Sequence, residues 1–205
     1  MPTLAFVMSA LRHIVYLHGF RSSPQSAKAR AMAQWAAGKP EIEWCCPQLP
    51  PSPAEAFALI QRLTAAWPAQ GVAVVGSSLG GFYAAALAQT RPQWRAALLN
   101  PAVNPARDLA AYIGENRQWH APEESFFFRP EYVGELRTLN PATLLEPTRW
   151  FALIAKGDEL LDWREMQARY GLGRSLLLAG SDHALSDFER WQPELIRFIT
   201  ETQTP

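Results

Sequence analysis

Six short apolar runs are spaced along this 205-residue chain, and longer helical patterns separate them. The runs are RHIVYLH (Arg12 to His18), IEWCC (Ile42 to Cys46), VAVVGS (Val72 to Ser77), AALLN (Ala96 to Asn100), WFALIAK (Trp150 to Lys156) and SLLLAG (Ser175 to Gly180). Each is near-continuous in apolar character, the pattern of a strand covered on both faces. Helical spacing marks SAKARAMAQWAA (26–37), PAEAFALIQRLTAAW (53–67), LGGFYAAALAQT (79–90), DWREMQARYG (162–171) and FERWQPELIRFIT (188–200). Pro193 is expected to kink or start the last of these. Strands and helices that alternate in this way connect through right-handed crossovers. The expectation is therefore an α/β fold with a six-stranded, mostly parallel, doubly wound sheet.

The segment from Asn104 to Pro147 breaks this rhythm. It shows no clear strand, and its aromatic residues (Tyr112, Trp119, Phe126, Phe127, Phe128, Tyr132) follow no simple period. So long a stretch reads as a cap-like insertion with its own structure, or as helices that extend the core. The chain as a whole, 1–205, fits a single domain large enough to bury a continuous core. With 48% apolar residues it is not a disordered chain. Nineteen basic and nineteen acidic residues cancel, which argues against a nucleic-acid partner or a polybasic membrane patch. Cys45 and Cys46 are adjacent and make no ordinary disulfide, so they read as buried thiols of a reduced, cytoplasmic compartment. The opening MPTLAFVMSALR has neither a basic leader nor an apolar run of spanning length. A tail over 1–11 is expected, with Met8 as an alternative start.

Where the third run meets its helix, Gly76 to Gly81 crowds three glycines and two serines into six residues. A phosphate-cradling G-x-x-x-x-G loop next needs Lys and then Ser or Thr; Phe82 and Tyr83 stand there instead, and that reading fails. A dinucleotide fingerprint fails as well, because Ser78 occupies the second glycine's place. The remaining frame is G-x-S-x-G. It places Ser78 on a sharp strand-to-helix turn, with Gly76 and Gly80 small because the turn crowds them.

A serine hydroxyl needs a base, usually an imidazole oriented by a carboxylate. His183, in AGSDHALSD after the last predicted strand, stands at the carboxyl end of a strand, where open parallel sheets bind ligands. His120 lies in the insertion and has no such placement. Asp158, one strand earlier in KGDELLD, is the leading acid. Asp162 and Asp182 are rivals, and each of the three is also suited to capping a helix. If the first and third strands are neighbours, Gly19 lets the loop after the first strand approach Ser78. The Phe20 and Leu79 N–H groups would then form an oxyanion site. His18 reads as a packed support for that loop. PQLPPSP reads as the rigid exit from the second strand, bordering an acyl pocket, with mimicry of a polyproline ligand as the alternative.

Six blocks carry a family resemblance: YLHGFRSSPQSAKA (16–29), PQLPPSP (47–53), VGSSLGGFYA (75–84), NPAV (100–103), GDELLDWR (157–164) and GSDHALSDFE (180–189). In this order they resemble the small bacterial YqiA-like esterases of the α/β-hydrolase superfamily, from about His13 to the last helix. The resemblance implies a three-layer hydrolase fold without the two leading strands of larger relatives. It also implies esterase activity on short acyl chains or acyl thioesters, with nucleophile, acid and base at Ser78, Asp158 and His183. The divergent 104–147 segment leaves substrate size open.

No cofactor or metal is called for, since no histidine and carboxylate cluster has metal-ligand spacing. The expected partner is a small ester or thioester, with no membrane insertion and the oligomeric state open. A thioesterase or acyltransferase would use the same residues. A peptidase is disfavoured, and a non-catalytic binding module on the same scaffold is the reading from another class.

Overall fold

The computed structural model describes residues 10–141, 143–144 and 146–201. Its centre is a six-stranded sheet in the order β2-β1-β3-β4-β7-β8, with every neighbouring pair parallel. The strands are β1 (His13–Leu17), β2 (Glu43–Cys45), β3 (Val72–Ser77), β4 (Arg95–Leu99), β7 (Trp150–Ala155) and β8 (Arg174–Leu178). All six apolar runs became strands. The helices are α1 (Ala27–Ala37), α2 (Pro53–Leu63), α3 (Leu79–Gln89), α4 (Pro105–Asp108), α5 (Pro130–Leu139), α6 (Trp163–Tyr170) and α7 (Phe188–Thr200).

Alternation along each strand sends side chains to opposite faces. Val15, Leu17, Val74, Leu98 and Ile154 point to one face, where α2, α3, α5 and α6 supply Ile60, Phe82, Leu136 and Met166. Ile14, Tyr16, Val75, Leu99 and Leu153 point to the other, under Met32 of α1 and Leu195 and Phe198 of α7. Two helical layers therefore sandwich the sheet, which explains why its strands read as unbroken apolar runs.

The chain winds one way from β1 to β2 and the other way from β3 onward, so the strand order reverses between β1 and β3. These two pair directly, with Leu17 opposite Gly76. The crevice at such a reversal, beyond the carboxyl ends of the strands, is where doubly wound sheets bind ligands.

Several expectations need correction. The 104–147 segment, expected to hold no strand, contains an antiparallel hairpin of β5 (Gly114–Arg117) and β6 (Ser125–Phe128). Helix α2 ends at Leu63 instead of reaching Trp67. There the Thr64 hydroxyl donates to the Ile60 carbonyl (2.9 Å), and Pro68 follows. Pro193, expected to kink or start the last helix, does not start α7 but lies inside it. Cys45 and Cys46 are free thiols, half-buried instead of buried. Cys45 packs toward the α2–α3 layer and Cys46 toward the α1–α7 layer. Of the expected tail over 1–11, residues 1–9 lie outside the described residues, while Leu11 packs under the α1–α7 layer. Among the described residues, no helix is long and apolar enough to cross a membrane.

Candidate active site

Ser78 joins β3 to α3 with φ 55° and ψ −121°, a backbone conformation that L residues rarely adopt. Such strain persists only where the surroundings over-determine it. Here the Ser78 N–H donates to the Leu99 carbonyl at 2.9 Å, and its own carbonyl accepts from Gly81, Phe82 and Ala102. The flanking glycines are sterically required. A methyl group on Gly76 would stand 2.1 Å from the Gly80 carbonyl oxygen, and one on Gly80 would stand 1.9 Å from that of Leu17.

The turn lifts the Ser78 side chain toward the loop that follows β8. His183 Nε2 lies 3.0 Å from Ser78 Oγ, and His183 Nδ1 lies 2.7 Å from Asp158 Oδ2. A carboxylate can only accept, so Nδ1 carries the proton and Nε2 is left to accept from the serine hydroxyl. The Leu160 and Leu161 N–H groups donate to Asp158 Oδ1 at 2.9 and 2.8 Å, which leaves Oδ2 for the imidazole. The Asp158 side chain is 0% exposed and that of His183 17%, so the carboxylate is out of water while the ring faces the crevice. Hydroxyl, imidazole and carboxylate thus form one hydrogen-bonded line across three loops.

The rival residues are occupied elsewhere. Asp162 accepts from the Arg164 N–H at 2.9 Å as the cap of α6. Asp182 accepts from the Ser186 N–H and hydroxyl at 2.8 and 2.6 Å. His120 is exposed in the connection between β5 and β6.

The loop after β1 runs alongside. A methyl group on Gly19 would stand 3.1 Å from Ser78 Cβ, so the backbone passes against the serine there. Leu79 opens α3, where the first N–H groups of a helix have no partner within it. Phe20 is held edge-on by Tyr112, Phe126 and Phe128, at ring-centroid distances of 5.6, 5.6 and 5.3 Å. His18 is buried. Its Nε2 accepts the Leu49 N–H at 3.0 Å, and its Nδ1 lies 3.0 Å from the Gly19 carbonyl. Burial lowers its proton affinity below that of a free histidine, so it is a neutral strut between the β1 loop and PQLPPSP.

Beside these groups lies a cleft of about 370 Å³, counted to its open mouth. Leu49, Pro50, Pro51, Tyr83 and Phe126 form apolar walls, and Arg21 and Gln118 supply polar ones. Among the described residues, no group of three or more His, Cys, Asp or Glu side chains is placed to hold a metal ion.

Glu159 Oε2 accepts the His183 N–H at 3.0 Å, and two further side chains that sequence reasoning passed over touch this site. Asn100, at the end of β4, is wholly buried and bonds to the loop carrying His183. Lys28, on α1, reaches the same loop. The only sequence signal for either was its place within a family block.

A model of an uncharacterised protein family, UPF0227, matches residues 13–200. The chain belongs to the UPF0227 family. With the observed sheet and helices, this makes it a YqiA-like α/β-hydrolase, as the six sequence blocks led us to expect. Solved structures similar to this UPF0227 member have the same fold. A putative hydrolase from Agrobacterium vitis is 19% identical with a TM-score of 0.73, over 94% of this chain and 91% of that one. One of two metagenome-derived lipolytic enzymes is 18% identical with a TM-score of 0.68, over 93% and 94%. Est1E from Butyrivibrio proteoclasticus, solved with ferulic acid bound, is 14% identical with a TM-score of 0.68, over 94% and 91%.

Proposed function

We propose that this UPF0227 member is a serine esterase that cleaves small carboxylic esters through an acyl-enzyme. The observation that carries the reading is the unbroken Ser78–His183–Asp158 line of 3.0 and 2.7 Å contacts, with the serine on a strained elbow. His183 takes the hydroxyl proton as Ser78 attacks the ester carbonyl. Asp158 keeps the ring in the required tautomer and stabilises the imidazolium that forms. The Phe20 and Leu79 N–H groups receive the developing oxyanion, with the dipole of α3 adding to them. His183 then protonates the leaving alcohol and activates water for deacylation.

The lipolytic and esterase neighbours agree with this chemistry. A small cleft walled by proline and aromatic rings favours a short acyl chain. The 104–147 segment, which supplies Phe126 to that wall, acts as the cap of a single-domain enzyme.

Hydrolysis of p-nitrophenyl butyrate by the wild type, and its loss in Ser78→Ala at unchanged Tm, is the expected result. A fluorophosphonate probe should label the wild type at Ser78 and leave the variant unlabelled. Undiminished hydrolysis by Ser78→Ala would overturn the reading.

A further inference from the structure

The loop that carries His183 is held in a conformation it would not choose alone. Ser181 and Leu185, on either side of the histidine, have φ of 69° and 50°. Non-glycine residues in this region cost on the order of 1 kcal/mol or more each. Besides Glu159, whose Oε2 accepts the His183 N–H at 3.0 Å, two side chains from elsewhere in the fold bond to the carbonyls of the intervening backbone. Asn100 Nδ2 donates to the carbonyls of Asp182 and His183 at 2.9 and 3.2 Å, and its Oδ1 accepts the Ala155 N–H at 2.8 Å. The Lys28 ammonium donates to the Ala184 carbonyl. Three consecutive carbonyls, centred on the histidine, are thus gripped by two side chains from β4 and α1.

We propose that Asn100 and Lys28 are positioning residues that clamp the His183 backbone and so set the imidazole between Ser78 and Asp158. This rests on the serine-esterase reading, since the ring's alignment matters only if it moves the serine proton. Asn100 suits its task because it is wholly buried and tolerates its φ of 41°. Its single amide spans β4, β7 and the histidine loop, so the ring is fixed relative to the strands that end at Ser78 and Asp158.

Lys28 separates positioning from mere stability. Burial draws its proton affinity down to about 8, against the attraction of Asp182 and Asp158. A lowered affinity in a basic group means that the charged form is worse off in the fold than in water. The ammonium is thus held there against a desolvation cost, while its donation to the Ala184 carbonyl reaches the histidine loop.

The test uses the full chain with Lys28→Met, Lys28→Arg and Asn100→Asp. Lys28→Met is expected to leave Tm unchanged or raised at pH 7 while kcat on p-nitrophenyl butyrate falls about tenfold or more. KM should change less than about twofold, and Lys28→Arg, which still donates, should recover part of the rate. Asn100→Asp, which keeps the acceptor and loses both donors, should fall further. Fluorophosphonate labelling of Ser78 should slow by the same factor as kcat. If Asn100→Asp does not fold, Lys28→Met decides alone. Labelling of Lys28→Met at the wild-type rate, or a rate loss that only follows a fall in Tm, would overturn the clamp and leave the esterase reading intact.

A wild type that resists the probe would instead sink the esterase reading. The clamp itself then still has a readout, the downfield proton resonance of His183 Nδ1–H. It should be sharp in the wild type and shifted or broadened in Lys28→Met; an unchanged resonance would count against the clamp.

Discussion

Gly80 and Gly134 show how differently one residue type can be constrained. The carbonyl 1.9 Å from a methyl group at Gly80 belongs to Leu17, in a central strand hydrogen-bonded on both sides, so neither partner can yield. Gly80→Ala is expected to destabilise the fold by about 3 kcal/mol or more, through overpacking that has no flexible side chain to absorb it. Gly134 sits inside α5 with nothing within 4 Å of where a methyl group would stand and no positive φ. There Ala should stabilise by about 0.5–1 kcal/mol, the ordinary helical difference between the two residues. Urea unfolding of both variants checks the pair; similar values of either sign would refute the steric account. The G-x-S-x-G spacing announced the first glycine's constraint, because the clash is local to one turn.

At the level of elements, legibility followed burial. β3, β4 and β7 are covered on both faces, so VAVVGS, RAALL and WFALIA read directly as strands. The β5–β6 hairpin is covered on one face only. GENR carries two charges and a glycine, and the seven residues 118–124 between the strands contain no tight-turn dipeptide. Asn100 and Lys28 were illegible for another reason: their partners lie more than 80 and 150 residues away, a relation that no local pattern encodes. The hairpin's alternation makes a prediction of its own. Phe126 and Phe128 turn inward to Phe20, while Phe127 between them is 57% exposed. On the proposed mechanism, Phe126→Ala loosens the Phe20 amide and opens the cleft wall, and kcat/KM should fall between about 10- and 100-fold. Phe127→Ala should change stability by less than about 0.5 kcal/mol and leave the rate alone. Equal effects in both would show that the hairpin does not position Phe20.

For the whole molecule, net charge is zero and the isoelectric point near 6.9, yet stability against pH is governed by groups whose proton affinity changes on folding. Ser186 holds Asp182 low, Ser181 holds Asp187 low and Arg107 holds Glu165 low, so their contribution is present above the ordinary 3.8 and 4.5 and fades as pH falls below them. Buried His18 holds its proton less tightly than the ordinary 6.5. The unfolded chain therefore binds the extra proton below that pH, and stability declines as acid is added. On the alkaline side the sign reverses. Burial pushes the Cys46 thiol up from 9.0 to about 12 and raises Cys45, Tyr16 and Tyr83 as well. The unfolded chain loses those protons first, so stability falls as pH rises above 9. Lys28 opposes this between about 8 and 10.5 but is a single group. Stability measured by urea unfolding should thus be greatest between about pH 7 and 9 and fall on both sides. His18→Gln, which keeps an acceptor for the Leu49 N–H, should flatten the decline between about pH 6.5 and 5. Replacing both cysteines with alanine should move the alkaline onset from about 9 toward the tyrosine range near 10. A maximum below pH 6, or an acid limb unchanged by His18→Gln, would mean that His18 is not the neutral strut its contact with Leu49 requires.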